Sequence, residues 1–204
     1  MTIPGTNTII DLSHWNPVNS FPDIKAGGVQ AIIHKCSQGV VLDPAYATRR
    51  AVAIPSGLLW GAYHFGVASQ DPVKQADFFL SMSHQPKIMA LDWEWNKADT
   101  MTVWQATTFV QRIFDQTRVY PLLYTSAAFL MDHQAIKGGY PAISLSVLSR
   151  CRLWLTGFSP KPIIPEPWTD WCIWQHGLGE CQGVSGQVDR DTYNGTPDAL
   201  AASF

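Results

Sequence analysis

Short apolar stretches rich in β-branched and aromatic residues recur along the chain, and each ends on a polar or ionisable side chain. Eight such stretches fall at 8–11, 31–35, 58–64, 88–94, 120–124, 152–155, 171–175 and 186–189. Continuous apolar runs bounded by turn signals predict strands covered on both faces, as in a parallel sheet. The intervening segments at 22–26, 45–54, 71–80 and 102–117 predict helices. The first stops at Gly27-Gly28, the second before Pro55 and Gly57, and the third opens on Asp71-Pro72. The fourth carries Val103, Ala106, Phe109, Val110, Ile113 and Phe114 at helical spacing. Beyond residue 150 the connections hold Pro160, Pro162, Pro165 and Pro167, then Gly177, Gly179, Gly183 and Gly186, which predicts loops in place of helices. Five strand–helix units followed by three strands read as an α/β fold, an irregular TIM-like (β/α)5(β)3 eight-stranded barrel. No internal repeat or linker divides residues 1–204, so a single domain is expected.

In such a barrel the reactive groups sit at the C-terminal strand ends. Asp11, Lys35, Tyr63, His64, Asp92, Glu94, Tyr124, Trp154, Gln175 and Asp189 would then converge on one rim. The sharpest local feature is Leu91-Asp92-Trp93-Glu94-Trp95. Residues two apart in a strand share a face, so Asp92 and Glu94 point one way and Trp93 the other. Mutual repulsion and partial burial raise the pKa of one carboxyl, leaving a proton donor beside a carboxylate. Cleavage of a glycosidic bond needs that pair, one group for the leaving oxygen and one for the developing positive charge. Spacing alone does not choose between retention and inversion.

Composition narrows the partners. Nine Trp, six Tyr and nine Phe accompany only 15% charged residues, a balance suited to stacking on flat apolar faces such as sugar rings. A net charge of -2 excludes nucleic-acid binding through a generally basic surface. No apolar run reaches the length of a membrane span, and residues 1–5 lack a leader pattern, so a cytoplasmic pool released to the cell wall is expected. Cys36, Cys151, Cys172 and Cys181 show no C-x-x-C spacing and read as buried free thiols, with a Cys172–Cys181 bridge the alternative. His14, His34 and His64 near strand ends invite a metal site, but no H-x-H or H-x-x-x-H pair supports one.

The ordered set Ile10-Asp11-Leu12-Ser13, Ala31-Ile32-Ile33-His34-Lys35, Gly61-Ala62-Tyr63-His64-Phe65, Leu91-Asp92-Trp93-Glu94, Leu123-Tyr124-Thr125, Leu153-Trp154-Leu155, Ile173-Trp174-Gln175 and Val188-Asp189 resembles the family 25 glycoside hydrolases. These are lysozymes that cut peptidoglycan. The resemblance implies hydrolysis of the β-1,4 bond between N-acetylmuramic acid and N-acetylglucosamine, without a cofactor. A barrel that occupies residues 1–204 leaves no separate cell-wall-binding module to expect, and a monomer is expected. The resemblance also implies Glu94 as general acid and Asp92 as stabiliser of an oxocarbenium or oxazolinium. Asp11 and Asp189 would be further pocket carboxylates, and Tyr63, Tyr124, Trp154 and Gln175 would line the sugar groove. Apart from the resemblance, Lys35, on an otherwise buried strand, is expected to pair with a pocket carboxylate. The sequence departs from the family pattern at Gln38, where a Glu is common, and at Arg190, where an apolar residue is usual. Three alternatives remain. A chitinase-like D-x-x-D-x-D-x-E signature fails at Lys87 and Ala90. A non-hydrolytic glycan-binding barrel would keep the groove without turnover, and a metal-dependent deacetylase would release acetate.

Overall fold

The structure is a computed structural model describing residues 6–132 and 146–204. The first five residues, on which the leader reading rests, lie outside them. Among the described residues nine strands form: β1 Thr6–Leu12, β2 Ala31–Gln38, β3 Val41–Leu42, β4 Leu59–Phe65, β5 Ile88–Asp92, β6 Leu122–Ser126, β7 Leu153–Thr156, β8 Ile173–Glu180 and β9 Gln187–Tyr193. Eight close into a barrel in the order β1-β2-β4-β5-β6-β7-β8-β9, with β9 pairing back onto β1. The ninth, β3, only folds back on β2 as a hairpin. Every neighbouring pair from β1 round to β8 is parallel. Strand β9 runs antiparallel to both of its neighbours.

That reversal corrects one expectation. Asp189 was expected at the end of a rising strand, whereas it stands near the start of a descending one, opposite Asp11 in register. The reason is the short 181–186 connection, since a parallel neighbour requires a crossover of about a dozen residues or more. Asp189 reaches the same rim by the opposite route.

The four predicted helices form as α1 Phe21–Ala26, α2 Tyr46–Ala53, α3 Pro72–Ser83 and α4 Val103–Thr117. Asp71 caps α3 by accepting from Lys74 N at 2.9 Å, and Thr102 and Gln105 form a reciprocal capping box on α4. Two further helices, α5 Ala127–Met131 and a C-terminal helix Pro197–Ala202, escape the periodicity reading. At five and six residues they are too short to display a repeating apolar face.

Alternation along the strands sorts side chains into two apolar layers. Inward-facing Ile9, Ala31, Ile33, Ile88, Ala90, Leu122 and Ile173 fill the barrel. Space there is tight: a Cβ on inward-facing Gly61 would fall 2.9 Å from Ile88 Cβ. Outward-facing Ile10, Ile32, Trp60, Leu91, Trp93 and Leu123 pack against Ile24, Phe79, Phe109, Val110 and Ile113 of the helices. Behind β7 and β8, where no helix follows, Leu153, Leu155 and Trp174 are covered by Ile164, Trp168 and Trp171. The Pro-rich loop thus occupies the place of the missing helices. Below, the C-terminal helix inserts Leu200 into the barrel base, and Arg152 lies over the Phe204 ring. All four cysteines are buried free thiols.

Candidate active site

Two positions beyond the last apolar residue on each inward face, the side chain becomes polar. Ile9 is followed by Asp11, Ile33 by Lys35, Ala90 by Asp92, Leu122 by Tyr124 and Ile173 by Gln175. Period-two alternation keeps both members of each step inside the barrel, so polar termini from separate strands converge. Those of β1, β5, β6 and β8 help surround a pocket of about 180 Å³ lined by four carboxylates, Asp11, Asp92, Glu94 and Asp189, together with Tyr63, Tyr124, Trp154 and Gln175. Eight of the ten side chains expected on the rim therefore meet in one place, Lys35 and His64 being the exceptions. Larger cavities of about 420 and 570 Å³ open at the opposite end of the barrel, around Arg152 and Asp170 and around Tyr120 and Phe204. Neither gathers more than one carboxyl, so chemistry and not size identifies the site.

Strand β5 ends at Asp92, and Glu94 stands in the following turn. The opposed facing expected of Asp92 and Trp93 nevertheless holds. Trp93 is buried among the outer apolar residues, its indole N–H donating to Met101 O at 2.9 Å and its ring edge-on to Phe129. This anchorage leaves Asp92 and Glu94 on the pocket side. Asp92 is buried and its Oδ1 has no hydrogen-bond partner among the described residues, while Glu94 is half-buried.

Burial is the main force on the acids. It lifts Asp92 well above the usual carboxylate range, and the charge of Glu94 adds to the rise while Lys35 opposes it. Glu94 is raised by burial and then by Asp189, again with Lys35 opposing. Burial also raises Asp189. Asp11 is lifted well up by burial and by the charges of Asp191 and Asp189, against the hydrogen bond that Gln175 Nε2 donates to its Oδ2 at 2.7 Å. Gln175 is itself fixed, its Oε1 accepting from Tyr124 Oη at 2.9 Å and from Thr156 Oγ1 at 2.7 Å. Tyr63 and Tyr124, buried beside these acids, are held well above the ordinary phenol range and stay neutral.

Lys35 departs from expectation. Its ammonium donates to Gln38 Oε1 at 2.7 Å and lies 4.9 Å from the Phe65 ring centre, without lining the pocket or forming an ion pair with a pocket acid. It acts on Asp92 and Glu94 through space, and Gln38, where the family pattern has Glu, adds no charge to compete for it. Trp154 departs too. It is only 1% exposed, with Tyr63 and Tyr124 edge-on to it, so it forms the floor of the pocket and not a stacking wall. Arg190 turns away from the acids and donates to Glu180 O.

The histidines are committed elsewhere. His34 stacks on Trp60 outside the barrel, and His64 bridges Ser37 Oγ and Gln75 Oε1 while stacking on Phe109. His14 pairs with Asp43 at 2.7 Å, in a clasp that holds the loop after β1 to the α2 region. Arg49 completes the clasp by donating to Ser13 O and Asn16 O. Sequence reasoning missed a fifth interior acid, Asp191, which is fully buried below the pocket and accepts from Trp154 Nε1 at 2.7 Å. The signal was available, because Asp191 is two residues from Asp189 on the same strand face.

Comparison with known proteins bears on the family and the fold. A family model described as Glycosyl hydrolases family 25 matches residues 10–182. Lysozyme M1 of Streptomyces globisporus is 27% identical over 211 residues, an alignment covering 95% of this chain and 69% of that protein. Among solved structures, a bacterial lysozyme from Streptomyces coelicolor superposes with a TM-score of 0.81 at 23% identity, covering 99% of this chain and 97% of the other. A muramidase from Trichobolus zukalii gives 0.78 at 25% identity, with 98% of each chain covered.

Proposed function

The chain belongs to glycosyl hydrolase family 25 and is a peptidoglycan-hydrolysing lysozyme, and from that premise we propose how its pocket divides the chemistry. The bond cut is the β-1,4 linkage from N-acetylmuramic acid to N-acetylglucosamine. Glu94 is the general acid. It is the longer and more exposed of the two adjacent carboxyls, standing in a turn where it can reach an oxygen outside the barrel mouth. Asp92, deeper on the strand, is the group that faces developing positive charge.

In the first step the Glu94 O–H protonates the bridging oxygen, the bond from the muramic acid C1 to that oxygen breaks, and its electron pair stays on the leaving sugar. Positive charge then appears on the ring as an oxocarbenium, or passes to an oxazolinium when the substrate's acetamido oxygen closes on C1. The Asp92 anion stabilises either species. Water adds at C1 in the second step and gives its proton to the Glu94 carboxylate, restoring the acid.

Coupled carboxyls hold protons as a group and not as independent sites. Substrate charge approaching Asp92 favours its anion, which leaves the shared proton to Glu94 when the bond is to be broken. Tyr63 and Tyr124, kept neutral, offer O–H groups to sugar hydroxyls, and Asp11 and Asp189 accept from them.

The observation that carries this reading is the pair Asp92 and Glu94 on the pocket side of a segment pinned from behind by Trp93. Mass spectrometry of purified peptidoglycan after digestion tests it. Fragments with reducing muramic acid ends are expected. Reducing glucosamine ends, released acetate, or binding without new ends would overturn it. Proton NMR of the first product adds the stereochemistry: retention supports the oxazolinium route and inversion overturns it.

A further inference from the structure

Asp191 is fully buried inside the barrel beneath the pocket, with its Oδ1 accepting from Trp154 Nε1 at 2.7 Å. No N–H or O–H donor among the described residues reaches its Oδ2. The Asp191 carboxyl nevertheless lies in hydrogen-bonding contact with that of Asp11. Strand register explains the approach: Asp191 pairs with Ile9 on β1 and with Gln175 on β8, one inward position below Asp11. Two buried anions in contact repel strongly, and a single proton between them converts repulsion into a charge-assisted O–H···O⁻ bond.

We propose that Asp191 is a positioning residue that shares one proton with Asp11, so that the pocket floor presents one negative charge in place of two and Trp154 is held rigidly beneath the sugar site. This deepens the lysozyme reading and rests on it. The groups facing the pair are Asp189 and Arg190 on β9, Gln175 on β8, Trp154 on β7, Tyr63 on β4 and Tyr124 on β6. Arg190 supplies the one positive charge among them, and it turns toward Glu180 O outside the pocket. Burial lifts Asp191 to about 7 despite the Trp154 bond and lifts Asp11 well up; the contact raises Asp11 and lowers Asp191, so near neutrality the pair passes to a singly protonated state with its proton toward Asp11.

Carbon-13 NMR of aspartate carboxyls, followed from about pH 4 to about pH 9 in the full chain, reads the proton directly. In the wild type the Asp11 and Asp191 resonances should move together, one proton leaving near neutral pH and the shared one remaining above it. Both Asp191→Asn and Asp11→Asn should abolish that step. Two carboxyls already ionised at mildly acidic pH, or two independent titrations, would overturn the proposal. Kinetics give a second readout. Asp191→Asn keeps an acceptor for Trp154 and mimics the protonated partner, so kcat near neutrality should stay close to wild type with the alkaline decline softened. Asp191→Leu offers neither acceptor nor proton and should lower kcat on the order of tenfold or more. Equal loss in both variants, or in neither, would count against a positioning role. If the shared proton is seen while digests lack muramic acid ends, the functional reading fails and the pair stands.

Discussion

The barrel interior has two halves built on the same strands, one rung apart. In the lower half Ile9, Ile33, Ala90, Leu122 and Ile173 exclude water, and each large side chain so buried contributes about 1.5–3 kcal/mol. In the upper half Asp11, Asp92, Gln175 and their neighbours are buried almost as deeply, but no cation among the described residues forms an ion pair with the carboxyls there. The ion pairs among the described residues, His14–Asp43 and Arg112–Asp77, both lie away from the pocket. Lys35 acts on Asp92 and Glu94 at a distance. One set of strand geometries thus serves stability below and reactivity above, and the difference resides in side-chain identity at alternate positions.

The most severe test of that division is at the acids themselves. Glu94→Gln and Asp92→Asn should each lower turnover about 10²–10⁴-fold in a reducing-end assay, with the melting temperature unchanged or higher because a buried charge is gone. Near-normal turnover in either would dissolve the distinction between the halves. The converse change, Leu122→Ala in the lower half, should cost about 2–5 kcal/mol in urea unfolding while turnover per folded molecule is kept.

A subtler contrast appears in the pH dependence of stability. Asp11, Asp92 and Asp191 have raised pKa values, so the folded chain holds protons that the unfolded chain releases near pH ~3.9. Their stabilisation is complete below that pH and is lost as pH rises through the folded values, about 7 for Asp191. His34 and His64, lowered by burial to about 4 and about 3, act in the other direction. They are neutral when folded, so stability is lost as pH falls below about 6.5, where the unfolded imidazoles gain protons. From about pH 4 toward 7 unfolding free energy should therefore fall through the upper-half acids, and Asp191→Asn should flatten that part of the decline.

The smallest effects are shifts of the pH–rate profile. Glu94 must be protonated to act, so activity is lost as pH rises through its pKa. Asp189→Asn removes a charge that raises this pKa and should move the alkaline limb to lower pH. Lys35→Met removes one that lowers it and should move the limb to higher pH. Shifts of the same sign would show that Lys35 does not act on Glu94 through space.

Much of this division is legible in the sequence, because alternation and terminal polarity are local properties. All eight barrel strands, four helices and the converging acids follow from runs and spacings. What escaped depends on contacts distant in sequence or on elements too short to carry a period. The two-residue β3, the five-residue α5 and the C-terminal helix belong to the second kind. The direction of β9 followed from a connection length that the run at 186–189 does not encode. The Trp154 floor and the Asp191 partnership belong to the first kind: an indole 37 residues away in sequence decides where that carboxylate sits. Lys35 was recognised as electrostatically relevant, but its hydrogen bond to Gln38 and its place over Phe65 are matters of side-chain direction.

The indole of Trp93, driven like a peg into the greasy seam between barrel and helices, gives the chemistry an unexpected dependence. The acid beside it inherits whatever rigidity that seam possesses. Heat or a trimmed ring at Phe129 would loosen the peg before the cylinder opens, so catalytic fitness should fade at temperatures where the fold, by every global measure, is still whole.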